Sequence, residues 1–126
     1  MIIVNVKFKN IAISKFDIKK GLEFKICFDD GEERCINKAS LIEDPMELTE
    51  TIFQEIRQMV KRYNQQYGSD TFDDVVIIRF ENEDTSRQKM SNFFSKVQEE
   101  LRTMRSVAPS NYLRKIEEIN KIKVEF

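Results

Sequence analysis

Apolar and polar residues alternate through the first third of the chain, whereas later apolar positions recur at helical spacing. Val4, Val6 and Phe8 alternate with Asn5, Lys7 and Lys9, the period of two that marks a half-buried strand. Leu22, Phe24, Ile26 and Phe28 oppose Glu23, Lys25 and Cys27 in the same way, and residues 11–18 between these two runs read as extended. Lys19-Lys20-Gly21 and Asp29-Asp30-Gly31 supply hairpin turns, the second leading into a short strand over residues 33–37. The opening is therefore expected to be an antiparallel β-meander.

From Asp44 the pattern changes. Asp44, Pro45 and Glu47 give an N-cap, a proline in the first helical position and an early acid, and Leu48, Ile52, Ile56, Met59, Tyr63 and Tyr67 then form a stripe that Gly68 closes. Acids at the front of this helix and Arg57, Lys61 and Arg62 toward its back suit its dipole without any ligand. Residues 75–80, Val-Val-Ile-Ile-Arg-Phe, are nearly all apolar and read as a central strand covered on both faces. Asp84, Thr85 or Ser86 caps a second helix with Met90, Phe93, Phe94, Val97, Leu101 and Met104 on one face. Pro109-Ser110 opens a third, short helix bearing Tyr112, Leu113, Ile116 and Ile119, and Ile122, Val124 and Phe126 alternate in a closing strand that must pair within the sheet.

This order predicts an α+β fold: an N-terminal antiparallel β-meander followed by α-β-α(-α)-β, a mixed or antiparallel sheet, and helices packed mainly on one face. No repeat or linker divides the chain, and 126 residues suit a single globular domain spanning residues 1–126. A composition 40% hydrophobic, with ten phenylalanines, three glycines and two prolines, argues against disorder. No run approaches the eighteen apolar residues of a membrane span, and Lys7 and Lys9 break any resemblance to a signal peptide. The expectation is a soluble, cytoplasmic protein that makes no membrane contact.

Candidate chemistry is sparse. The chain has no histidine, the side chain most often recruited for proton transfer and metal ligation near neutral pH. Its three glycines form no phosphate-cradling run, and Cys27 and Cys35 have no histidine to activate them. Two cysteines are too few for a zinc cage or a disulfide framework. A hairpin register pairing Phe28 with Arg34 would set Cys27 opposite Cys35, whereas other registers separate them.

Acids cluster at Asp29, Asp30, Glu32 and Glu33, at Asp70, Asp73 and Asp74, and at Glu81, Glu83 and Asp84. They lie in a hairpin turn or beside the apolar strand, where acids solubilise turns and cap helices, and the EF-hand spacing is missing. No catalytic residue, cofactor or metal ligand is assigned. A carboxylate-dependent Mg²⁺ enzyme would need at least three of these acids, from distant segments, converging in one cleft.

Two surfaces are left as binding candidates. On the first helix, Phe53, Val60 and Tyr67 lie round from Leu48 and widen the apolar arc, so something must cover that flank. The short helix over residues 110–120 or the loop before Pro45 would do so, or else the flank is an interface with another protein or with a second copy of the chain. The other surface comprises Lys7, Lys9, Lys25, Lys121 and Lys123, which share the phase opposite the phenylalanines. Residues 1–28 carry six lysines against two acids, although the net charge is only −1. A lysine-studded sheet can hold nucleic acid, but sheet-type readers expose aromatics on that same face, and here Phe8, Phe24, Phe28 and Phe126 share the core phase. The leading expectation is a non-enzymatic protein-interaction module acting as an adaptor, inhibitor or assembly subunit, with nucleic-acid binding through the lysines as the alternative.

Overall fold

The computed structural model describes residues 2–17, 21–38, 44–67, 76–104 and 106–126. Six strands, three helices and a 3-10 turn follow in the order β1 (Ile2–Val6), β2 (Phe8–Asp17), β3 (Gly21–Phe28), β4 (Glu33–Lys38), α1 (Pro45–Tyr67), β5 (Val76–Phe80), α2 (Glu83–Met104), the turn Pro109–Asn111, α3 (Tyr112–Asn120) and β6 (Lys123–Glu125). The α+β class and the order of elements agree with the sequence pattern. The pairing adds a second sheet: β1 and β5 form a parallel pair, while β4-β3-β2-β6 form an antiparallel sheet.

Two expectations are thereby corrected. The alternation from Val4 to Phe8 is not one strand, because β1 pairs in parallel with β5 from Ile2↔Val76 to Val6↔Phe80, and beyond Lys7 the chain enters the other sheet. The apolar phase runs unbroken across this switch, with Val6 and Phe8 both buried, so periodicity carries no sign of it. Nor is β5 central: among the described residues it pairs with β1 alone, and Val76, Ile77 and Ile78 are half-buried. A continuous apolar run reports the chemistry of two faces and not the number of neighbouring strands.

In β2 the apolar positions skip from Phe8 to Ile11 and from Ile13 to Phe16, and at these two places the register with β3 shifts. Each β-bulge inserts one residue and returns the next apolar side chain to the core. β3 alternates without a break, its even positions from Leu22 to Phe28 buried. Gly21 and Gly31 hold φ of 90° and 93°, a region that residues with a Cβ rarely enter. Lys19 and Lys20 of the first turn lie outside the described residues.

The β3–β4 hairpin has a three-residue loop, closed by Phe28 N–H donating to the Glu32 carbonyl (2.9 Å) and Gly31 N–H donating to that of Phe28 (3.0 Å). Phe28 therefore lies opposite Glu32 rather than Arg34, and Cys27 faces Glu33 while Cys35 faces Lys25. β6 pairs with β2 at the sheet's far edge, and Phe126 N–H extends the contact to the Lys9 carbonyl (3.0 Å).

α1 starts as its cap residues dictate, with Asp44 Oδ1 accepting from Met46 N–H (2.9 Å). Leu48, Ile52, Phe53 and Ile56 are buried, Met59 and Val60 pack at the margin of the core, and Tyr63 is exposed. The Gly68 cap lies outside the described residues. α2 buries Met90, Phe93, Phe94, Val97 and Met104 as its stripe requires, although it begins at Glu83, ahead of the expected cap. α3 packs against β2 and α2 through Ile119, with Tyr112 and Ile116 at the margin. Leu113 departs from the expected apolar face, being 77% exposed: it sits about 60° round from Ile116 and about 120° from Ile119, beyond the contact line of a nine-residue helix.

Aromatic rings join the layers. Phe8 contacts Phe28, Phe53, Phe80 and Phe126 with centroids 5.2–5.7 Å apart, and Phe24 meets Phe93 and Phe94 of α2. Phe53 is 0% exposed, so Phe53→Ala should cost about 3–5 kcal/mol in urea unfolding, whereas Leu113→Ala should stay within about 0.5 kcal/mol. A Phe53 variant as stable as the parent would contradict this core.

Candidate functional site

The residues singled out in the sequence fall in different places. Phe53 is internal, covered by Phe8, by Phe80 (4.7 Å between centroids) and by the Arg87 guanidinium 4.3 Å above its ring. Among the described residues its cover is thus β2, β5 and α2; residues 39–43, in the loop before Pro45, lie outside the described ones. Val60 sits at the edge of the core, and the side chain of Tyr67 lies outside the described residues.

An ion-pair clamp closes over Phe53 and Phe80. Glu83 accepts from Arg57 (3.1 Å) and Arg87 (3.0 Å), Arg57 also lies 4.8 Å from the Phe80 ring, and Arg87 reaches Glu50. Hydrogen bonds from Gln54 and Arg87 hold the Glu50 carboxyl below the usual range, so it is ionised at neutral pH. These groups serve one another.

Two concavities run along α1, and Met59 lines both. The first is an open groove of about 920 Å³ between α1 and β4, with Ile36 and Met59 as its apolar residues. Glu47, Glu50, Glu55 and Arg62 stand along its helical wall together with uncharged polar residues, and Cys35 and Asn37 form its strand side. The second, about 580 Å³, lies between α1, β1 and the β3–β4 turn; Val4, Val6, Phe28 and Val60 supply apolar surface. Its rim carries the ion pairs Lys7–Asp29 (3.9 Å) and Arg34–Glu32 (3.7 Å).

The first acidic cluster is thus spent on the exposed hairpin turn, where Asp30 Oδ1 also accepts from Glu32 N–H (2.9 Å), and Glu83 of the third is held by arginines. Asp70, Asp73 and Asp74 lie outside the described residues. Among the described residues no three His, Cys, Asp or Glu side chains come together to hold a metal ion, and no helix is long and apolar enough to cross a membrane.

The five lysines do not share one sheet face. Lys7 lies between the sheets and Lys121 caps α3. Lys9, Lys25 and Lys123 are on the antiparallel sheet, where Lys25 pairs with Glu33 (3.5 Å) and Lys123 with Glu125 (3.7 Å). Acids interleaved with the lysines reduce the field a phosphate backbone would meet.

Cys27 and Cys35 are free thiols. Burial pushes the Cys27 thiol up, and the Glu33 carboxylate adds to the effect from 3.8 Å. What sequence reasoning missed is the groove beside β4, whose only trace was the polar face of α1. No protein-family model matches the chain, and neither a curated protein nor a solved structure matches it.

Two measurements follow from this surface. Iodoacetamide at mildly alkaline pH should label the exposed Cys35 before Cys27, and the reverse order would refute the environment drawn for Cys27. A labelled single-stranded DNA titrated at low salt should show no saturable binding; tight binding that weakens steeply with salt and is lost in Lys25→Glu would instead establish the lysine surface.

Proposed function

We propose that this chain acts by binding another polypeptide, as an adaptor, inhibitor or assembly subunit, the partner being a different protein or a second copy of itself. One observation carries the reading: a helix more than six turns long stands beside the edge of a sheet and leaves an open groove along its length, with a second concavity alongside. Val60, singled out from the sequence, lines the second concavity together with the exposed Tyr63. A small apolar strip flanked by charged side chains is the usual make-up of a transient protein interface. The cytoplasm is the compartment that suits this reading, since a reducing environment keeps Cys27 and Cys35 as thiols.

A photoreactive benzoylphenylalanine placed at Gln58, on the groove wall, and in a control at Glu117, exposed on α3, tests the reading in the cell that makes the chain. Irradiation should give a discrete adduct from position 58 and none of the same mass from position 117. An adduct near twice the 15.0 kDa chain mass identifies self-association, and a larger or smaller discrete one a different partner. Identical patterns from both positions, or no adduct from either, would sink the proposal.

A further inference from the structure

The parallel pair of β1 and β5 has two outer edges, and they differ. Glu81 N–H donates to the Val6 carbonyl (2.8 Å), in step with Val6↔Phe80, so Ile2, Val4 and Val6 turn their backbone groups toward β5 and Ile3 and Asn5 turn theirs outward. On β5 the outward set includes Ile78, whose carbonyl accepts from the Arg57 guanidinium (3.3 Å). That edge is engaged by α1, whereas among the described residues no backbone hydrogen bond meets the outward groups of Ile3 and Asn5. The opening is short, because the carbonyl of Lys7, next in the outward series, already accepts from Asp29 N–H (2.9 Å).

The features of this stretch select what can lie along it. From Ile2 to Val6 it carries no charge, although charged side chains are the usual guard of a sheet edge. The second concavity opens beside it, between Val4 and Met59, so an added strand must turn apolar side chains to that side. On the opposite face Ile3 is 42% exposed, and a neighbouring strand would cover it. β1 itself meets these demands and has the right length. Two copies set antiparallel about Val4 place Ile3 of each opposite Asn5 of the other, each such pair exchanging two backbone hydrogen bonds, and bring Val4 against its own equivalent with Cα atoms about 4.5 Å apart. The charged rims stay separate: Lys7 and the turn it meets lie three residues from the axis, about 20 Å from their equivalents and beyond the screening length of about 8 Å. We propose that β1 pairs in this way with β1 of a second copy, so that two parallel pairs, each marginal alone, join in one four-stranded sheet. This rests on the reading of the chain as a polypeptide-binding module and names a second copy as the partner at this edge.

Sedimentation and residue-by-residue amide hydrogen exchange test it. The sedimenting mass should rise from 15.0 kDa toward twice that value between about 1 µM and about 1 mM, the range of small interfaces. At about ten times the dimer Kd, exchange at Ile3 and Asn5 should be about fivefold slower than in the dilute chain. The pairing of position 3 with position 5 supplies a specific check. A chain with Ile3→Lys and Asn5→Lys, or one with Ile3→Glu and Asn5→Glu, sets like charges opposite each other and should stay monomeric. An equimolar mixture of the two should dimerise, since each introduced lysine then meets a glutamate. Both positions are exposed, so the variants should keep the parent's circular dichroism. If either fails to fold, exchange in the parent carries the test. A parent still monomeric at about 1 mM, or a dimer whose Ile3 and Asn5 amides exchange no more slowly, overturns the proposal. So does a folded charged variant that dimerises as the parent does, or a mixture of folded variants that stays monomeric. A monomeric chain that still gives a discrete adduct from Gln58 would leave the polypeptide-binding function standing and remove the dimer.

Discussion

The ring of Phe8 stands where the chain leaves the parallel pair and enters the antiparallel sheet, and it touches rings from β3, α1, β5 and the C-terminal Phe126. A two-stranded parallel sheet is marginal on its own. β1 and β5 persist because Phe80, at the end of β5, packs on Phe8 and Phe53 and so fastens the pair to the larger core. Each ring contact of this kind contributes about 0.5–1.5 kcal/mol beyond the burial of its area. The position of α1 follows, since Phe53 is the ring through which it enters the cluster. The groove along α1 is therefore set by a contact on the opposite side of the helix.

Charge completes the arrangement without driving it. Arg57 and Arg87 lie over the outer faces of Phe80 and Phe53 and share Glu83, so the rims of the aromatic cluster are closed by cations that are themselves paired. The side chains of Arg57, Arg87 and Glu83 keep 24–36% of their exposure, where solvent screening limits what an ion pair adds. Their larger effect is to keep water from Phe53, and to hold Glu50 at the inner side of the groove wall. The packing of Phe53 and the acidity of the groove are linked through one guanidinium.

Much of this was legible in the sequence, and the limits have physical causes. The β3 alternation, the Asp44 cap, and the stripes of α1 and α2 each depend on neighbours within one element, and those elements formed where expected, apart from Tyr63, which is exposed at the back of the α1 stripe, and the start of α2 at Glu83, ahead of its expected cap. Strand pairing depends on partners distant in sequence. The apolar phase of Val4, Val6 and Phe8 suits one strand as well as two strands in different sheets, so the switch at Lys7 left no trace. The bulges in β2 did leave one, in the three-residue steps from Phe8 to Ile11 and from Ile13 to Phe16, although alternation alone does not reveal which partner absorbs them. Phe53 was rightly seen to need cover, which came from β2, β5 and α2. That β4 ends the sheet beside α1 follows from strand order, which hydrophobic periodicity does not encode.

Among the described residues β4 pairs on one side only, and an edge of that kind beside a groove carries a risk, because unpaired amides invite any sheet to extend across them. Charge guards the start of β4, where Glu33 is tied to Lys25 and Arg34 to Glu32. Farther along, Cys35, Ile36 and Asn37 offer no charge, and the guard there is steric. α1 stands across the groove from this part of the edge, so an incoming sheet would bring a second strand against the helix. Protection against edge-to-edge association is then a consequence of the placement of α1, which Phe8 and Phe53 hold from within.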